Sequence, residues 1–475
     1  MRDDSRGATV APSEAAGAGS TAPAFRPIDC LDLELSEPWP ELPTDGTRDL
    51  QVLVRLHGEP LGGVTVADLP AGDPADLLAE RIAAAYARQI AAHLRADGLP
   101  VEGTTVDGRG DWALLSAACR ASDVSTCQRR LEPGTPAPLV SVVVCTIGTE
   151  KRLPDSLRAL LAQDYEPYEV VVVDNAPDNP TTRTLVEQLA DPRLRYVPET
   201  RRGLSVARNT GLAAARGELV AYTDDDAIAD RGWVRTVAAV FAEDPRVACV
   251  TGLVLPAEAA TQAQAWFEEF GGFDRGYQRL VWRLPRLTGP TDALGPAGDG
   301  GPVFPYSAGY YGSGNNMAFR RDVLVAMGGF DVALGAGSLA KGGEDLDAYL
   351  TVLLGGGVLV YEPRAMVRHY HRSDYDALRT QMKNYGIGLT AMLAKRVLTS
   401  PRELGTIAAR VPAGVKRLLD PGSTKNEKKG AQYPRELTRL ELFGFVAGPA
   451  LYVRARVDAR RRGLRPDRAT AGAAA

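Results

Sequence analysis

The segment GELVAYTDDDAIADRGW (217–233) sets Asp224, Asp225 and Asp226 side by side at the end of an apolar run. Three adjacent carboxylates repel one another, so the arrangement is unfavourable unless a cation sits among them. The plain alternative is a solvated acidic turn leading into the next helix. An Asp-x-Asp pair in an extended turn aims two carboxylates to one side and the middle one away. Oxygen ligands of that kind suit Mg2+ or Mn2+ rather than zinc. A second acidic pair, Glu344 and Asp345 in GGEDLD, opens a helix that turns Leu346, Tyr349, Leu350 and Leu353 inward. Carboxylates in a first helical turn are favoured by the helix dipole, so capping alone would account for them. VRHYHR (367–372) supplies His369 and His371, two of only four histidines in the chain. On a strand, both would face the same side.

The elements that must position these groups alternate along the chain. LVSVVVCTI (139–147) and YEVVVVDN (168–175) are continuous β-branched runs of the sort found in strands buried on both faces. RLRYVPE, LVAYTDDD and RVACVTGLV continue the series of strands. Between them fall helices: one with Leu153, Leu157, Leu160 and Leu161 on a stripe, one in GLSVARNTGLAAARGE, and one with Trp233, Val237, Val240 and Phe241 inward. This alternation implies an α/β, mostly parallel sheet flanked by helices. Ligands of such sheets bind beyond the carboxyl ends of the strands. Thr146, Asp174 and the aspartate triplet all fall on that rim. The turn after the first strand, CTIGTEKRLPDS, contains only Gly148, so neither G-x-G-x-x-G nor G-x-x-x-x-G-K-[ST] is present. Without a glycine cradle, a bound diphosphate would need a cation.

The remainder of the 475 residues bounds the answer without naming a chemistry. A net charge of −4 gives no argument for nucleic-acid binding. The five cysteines are scattered without metal-type spacing and read as reduced thiols of a cytoplasmic protein. Residues 1–25 read as a disordered tail and 26–130 as a small α+β unit. In that unit DLQVLVRLHGEPLGGVTV suggests a hairpin turning through Gly58–Gly63, and Leu78, Ile82, Tyr86, Ile90 and Leu94 mark an amphipathic helix. His57 and His93 read as structural or exposed, and the unit offers no chemistry. Towards the C-terminus LFGFVAGPALYV (442–453) is too short to span a membrane and is followed by the basic RARVDARRRGLRPDR. It is either a last core helix with a basic tail or a peripheral contact at the inner face of a membrane.

Three stretches resemble one known family: PLVSVVVCTIGTEKRLPDSLRALLAQDYEPYEVVVVDN, RRGLSVARNTGLAAARGELVAYTDDDA, and MGGFDVALGAGSLAKGGEDLDAYLTVLLGGGVLVYEPRAMVRHYHR. They are similar to glycosyltransferase family 2, enzymes with the GT-A fold that use nucleotide-sugar donors. The resemblance covers roughly 139–375, within an expected catalytic domain at 138–375. It leaves 376–470 as a helical region facing acceptor or membrane.

The resemblance implies an inverting transfer from a nucleotide-diphospho-sugar, UDP-sugars being the common donors, with Mg2+ or Mn2+. By the same resemblance Thr146 and Asp174 contact the nucleotide, and Arg208 and Asn209 lie near the nucleotide-sugar. Asp224 faces the ribose or sugar side and the metal, Asp225 assists with the sugar, and Asp226 ligates the metal. His369, with His371 as runner-up, is a further ligand or diphosphate contact. In GYYGSGNNMAFRR, Asn315 or Asn316 would bind sugar hydroxyls. Asp345 matches the general base, and Glu344 orients it or binds acceptor. The processive motif Q-x-x-R-W is missing, which favours a single transfer. A glycan, a lipid-linked sugar, a peptide and a small metabolite all remain as acceptors. The rival readings are a nucleotidyltransferase and a non-catalytic scaffold that binds nucleotide-sugar or membrane.

Overall fold

The computed structural model describes residues 25–464 apart from 70–71, 73, 100–111, 122–135, 424 and 431. The expected tail at 1–25, except residue 25, lies outside the described residues, as does Cys127. Contacts divide the chain into a unit of residues 1–132 with 256–265 and a larger unit of 133–255 with 266–475.

The smaller unit holds a three-stranded sheet, β1 (Ile28–Glu34), β2 (Asp49–Leu56) and β3 (Glu59–Val66), in the order β1-β2-β3. The helix Ala75–Ala96 lays Leu78, Ile82, Tyr86, Ile90 and Leu94 against it, all buried. The hairpin is tighter than its glycines suggested. Leu56 pairs with Glu59, so the turn is His57–Gly58, and Gly62 and Gly63 lie inside β3. Both turn residues take positive φ, 55° and 82°, the backbone a two-residue hairpin demands. Gly62 is needed for another reason: a Cβ there would lie 2.3 Å from the Tyr86 hydroxyl.

The larger unit is built on a nine-stranded sheet. Its strands are β4 (Val140–Thr146), β5 (Tyr168–Asp174), β6 (Leu194–Pro198), β7 (Leu219–Asp224), β8 (Ala227–Ala229), β9 (Val247–Pro256), β10 (Leu280–Trp282), β11 (Asn316–Arg320) and β12 (Val358–His369). They run β10-β12-β9-β11-β7-β4-β5-β6, with β8 paired to β12. The strands β6, β5, β4 and β7 are parallel, and β11 enters antiparallel between β7 and β9. Every residue of β5 and β9 is buried, as expected for strands covered by helices on both faces. One core layer includes Leu153, Leu157, Trp233, Val237 and Phe241; the other includes Ala207, Leu212, Tyr349, Leu350 and Leu353. The α/β class, the central sheet flanked by helices and the helical C-terminal region therefore agree with a GT-A-type fold.

The C-terminal region contains two long helices, Tyr375–Thr399 and Arg435–Arg461. They cross at small residues. A Cβ on Gly386 would lie 2.1 Å from the Glu441 carbonyl oxygen, and one on Gly444 2.3 Å from that of Lys383. No helix among the described residues is long and apolar enough to cross a membrane.

Candidate active site

Strand register gathers the acidic residues at one edge. Thr146 is paired with Asp174 across β4 and β5, and Cys145 with Asp224 across β4 and β7. The chain then turns through Asp225 and Asp226 into β8, which pairs antiparallel with the end of β12 and sets His369 opposite Ala227. His369 is thereby delivered to the triplet: its Nε2 lies 3.1 Å from Asp226 Oδ1. Asp224, Asp226 and His369 each offer a ligand atom, all within 4.8 Å of one another.

His371 stands behind this group. Its Nδ1 is 3.1 Å from His369 Nδ1, and its Nε2 is 2.8 Å from Glu268 Oε1. Phe273 packs edge-on to the His369 ring at 5.4 Å, and Phe267 lies 4.6 Å from the His371 ring.

The charges inside the cluster are mutually adjusted. Burial raises the Asp224 carboxyl, Arg208 opposes this, and Asp226 reinforces it. Enclosure, with help from Asp226 and Asp224, pushes Asp225 up to about 7 against the Thr146 hydroxyl, which favours its ionised form. Asp226 goes the other way: burial works against its ionisation, but His369 outweighs burial and lowers it. Burial would likewise lower His369, yet Asp226 holds it above its usual value. Arg372 adds a further cation felt at Asp226.

A second group sits beside the first. Arg208, on the helix Leu204–Ala214, has a side chain only 4% exposed. It donates to Glu344 Oε1 at 2.9 Å and to the Gly314 carbonyl at 2.9 Å, and lies 3.4 Å from Asp224 Oδ1. Burial pushes the Glu344 carboxyl up to about 7, although Arg208 pulls it down. Asp345 is half-buried; its Oδ1 accepts from the Leu346 amide, and its charge is felt at Asp224 and Glu344. The helix Glu344–Leu354 starts from Gly343 at φ 89°, where a Cβ would meet the Gly388 carbonyl at 2.4 Å. Gly314 is also a close approach: a Cβ there would lie 3.1 Å from Asp345 Oδ2 and 3.2 Å from Arg208 Nη2.

The asparagines and Asp174 divide by how their polar atoms are used. Asp174 is fully buried and accepts from the Ala176 amide and the Tyr196 hydroxyl, both at 2.9 Å. Thr146 accepts from the Gly148 amide. Asn209 exchanges both its amide bonds with the backbone of Phe330 and so fastens its helix. Asn316 is similarly engaged, accepting from Trp233 Nε1 and donating to the carbonyls of Leu253 and Ala365. Asn315 differs. It is 2% exposed, and neither Oδ1 nor Nδ2 has a partner among the described residues. A buried amide left so is rare and marks a place where another group is expected.

Sequence reasoning passed over Glu268, Phe267, Phe273 and Arg372. Arg372 was within sight, being the last residue of VRHYHR. The other three come from a segment without a periodic signal.

Two family descriptions match the chain: Glycosyl transferase family 2 over 141–293, and Glycosyl transferase family group 2 over 219–416. Together they run from 141 to 416, through both acidic groups, and the chain belongs to glycosyltransferase family 2. Among curated proteins, the glucosyl-dolichyl phosphate glucuronosyltransferase of Haloferax volcanii is 28% identical over 50% of this chain and 72% of its own length. The pre-mycofactocin glycosyltransferase of Mycobacterium tuberculosis is 29% identical over 52% of this chain; the match spans less than half, 45%, of that protein. A mannosyltransferase from Pyrobaculum calidifontis, solved with GDP-Man and Mn2+, is 22% identical and covers 70% of this chain and 91% of its own, with a TM-score of 0.41.

Proposed function

We propose that this family 2 enzyme transfers one sugar, with inversion, from a nucleotide-diphospho-sugar to an acceptor hydroxyl. The observation that carries the reading is the meeting of Asp224, Asp226 and His369 within 4.8 Å at the carboxyl edge of the parallel strands. Two carboxylates and one imidazole make a mainly hard donor set, which fits Mg2+ or Mn2+. A divalent ion held there would offset the negative charge that develops on the departing diphosphate.

The chain's own residues do the rest. Asp345 accepts the proton of the acceptor hydroxyl as its oxygen bonds to the anomeric carbon. The bond from that carbon to the diphosphate oxygen breaks on the opposite face, and the electron pair leaves with the nucleoside diphosphate. Glu344, held by Arg208, fixes the first turn of the helix that carries Asp345. The unpartnered Asn315 amide is suited to sugar hydroxyls. Thr146, Asp174 and Asp225 line the side where the nucleotide is expected, and a UDP-sugar is the favoured donor.

A lipid-linked acceptor at the cytoplasmic face of a membrane is the preferred second substrate. The Haloferax relative is named for a dolichyl phosphate. The C-terminal region also keeps the side chains of Leu404, Val411, Val415, Leu419, Phe443 and Val446 exposed, apolar groups suited to peripheral contact.

The test is a donor screen by protection from thermal unfolding with Mn2+ present. A matching nucleotide-sugar at a hundredfold excess over Kd stabilises by about 2.7 kcal/mol, and Asp226→Ala removes that shift. If no nucleotide-sugar protects the wild-type chain, the proposal fails.

A further inference from the structure

The smaller unit contains a second group of ligand-type side chains. His57 is the first residue of the β2–β3 turn; His93 and Asp97 lie one helical turn apart at the end of Ala75–Ala96. Three atoms converge there. His57 Nδ1 lies 3.1 Å from His93 Nε2 and 3.2 Å from Asp97 Oδ2, and His93 Nε2 lies 3.2 Å from the same oxygen. The three side chains are 0%, 5% and 2% exposed.

Hydrogen bonds alone cannot satisfy this triangle. With Asp97 ionised, each of the two ring nitrogens contributes at most one proton, so two protons face three contacts. If both point at the carboxylate, two N–H groups confront each other at 3.1 Å. One cation above the triangle would use all three lone pairs at once. The edges have a suitable length, since ligands about 2.0–2.1 Å from a metal stand roughly 2.8–3.0 Å apart in an octahedral arrangement and roughly 3.3–3.4 Å apart in a tetrahedral one, and the observed edges fall between the two. Two imidazoles and one carboxylate select a borderline metal over Mg2+ or Ca2+.

The surroundings match what a metal site requires. Glu59 Oε2 lies 3.4 Å from the other nitrogen of His93, as an outer carboxylate that orients a ligating imidazole would. Glu34 accepts from the backbone amides of His57 and Gly58, both at 2.9 Å, and so fixes the turn that presents His57. His57 itself holds φ 55°, a conformation in which Asn or Gly would be easier.

We propose that His57 Nδ1, His93 Nε2 and Asp97 Oδ2 form a zinc site that clasps the β2–β3 turn to the end of the long helix. It is independent of the reaction assigned to the larger unit. The experiment strips the full-length chain with a chelator, adds Zn2+ or Co2+, removes unbound metal by gel filtration, and measures metal content and the Co2+ visible spectrum. An Asp226→Ala/His369→Ala chain serves as background, so that metal at the other cluster is not counted. That background chain should keep one equivalent of Zn2+ and give a Co2+ spectrum with nitrogen-ligand bands. Adding His57→Ala or Asp97→Asn to it should abolish both, and adding Glu59→Gln should weaken Zn2+ binding by roughly 10- to 100-fold. If the ligand variants do not fold, the unsubstituted background chain decides: its melting temperature must rise with stoichiometric Zn2+ and fall on chelation. No retained zinc in the background chain, or zinc retained in the ligand variants, overturns the proposal.

Discussion

The two histidine–aspartate clusters are built to opposite specifications. The one on the large sheet has two carboxylates and one imidazole, with His369 3.1 Å from Asp226, Asp224 34% exposed and Arg208 beside it. The one in the smaller unit has two imidazoles and one carboxylate, edges of 3.1–3.2 Å, and side chains at most 5% exposed. An oxygen-rich site open at one ligand is suited to exchanging an ion and admitting a diphosphate; a nitrogen-rich, closed one suits a permanent clasp. Ligand type and enclosure, more than the mere presence of acids and histidines, are what distinguish the two proposed sites.

The sharpest way to break this contrast is at the proposed base. Asp345→Asn should lower kcat by ~10²–10⁴ while leaving donor protection in thermal melts near wild type. Loss of donor binding instead would move Asp345 out of the role of base. Next in size is Arg208→Leu. It leaves Glu344 buried without its cation, and breaking a buried pair in this way costs about 3–5 kcal/mol; chemical denaturation at pH 8 measures it.

The same pair sets a pH dependence. The Glu344 carboxyl is held at about 7, above its ordinary 4.5. Its contribution to stability is therefore fully present below pH 4.5 and is lost as pH rises through 7, because the unfolded chain releases that proton first. The difference in melting temperature between Glu344→Gln and wild type should widen, in favour of the variant, from pH 5 to pH 8. A constant difference would show that Glu344 is already ionised. The smallest effect concerns the surface. Phe443→Ser with Val446→Ser removes two exposed apolar side chains, and binding to anionic vesicles should fall on the order of tenfold. Unchanged co-sedimentation would count against the proposed membrane contact.

The runs that became β4, β5, β7 and β9 could be read from the sequence because strands buried on both faces leave no polar interruption. Asp174 and the triplet followed, since the ends of such strands define the rim. Short pieces escaped. β8 and β10 are three residues each, too brief for any periodicity, although β8 is what brings His369 to Asp226. NMAFR lies in a glycine-rich stretch to which the sequence pattern assigns no strand, yet it is an antiparallel strand inside the sheet. That is why the amide of Asn316 is taken up by Trp233 and two carbonyls while Asn315, one residue earlier, is left without partners. A one-residue difference of this kind depends on tertiary pairing and has no local signature. The histidines of the smaller unit were invisible for the same reason: 36 residues separate His57 from His93, and only the turn at His57–Gly58 aims the first at the second.

The contact between Gly343 and Gly388 ties the far end of the chain to the chemistry. Gly388 lies midway along the helix Tyr375–Thr399, which is itself seated backbone to backbone on Arg435–Arg461. At Gly386, Gly444 and Gly388 the backbones meet without an intervening side chain to absorb a displacement, so a shift of the last helix is expected to reach, through the middle one, the residue preceding Glu344 and Asp345. A rigid connection of this kind would let the position of the last helix bear on the two carboxylates.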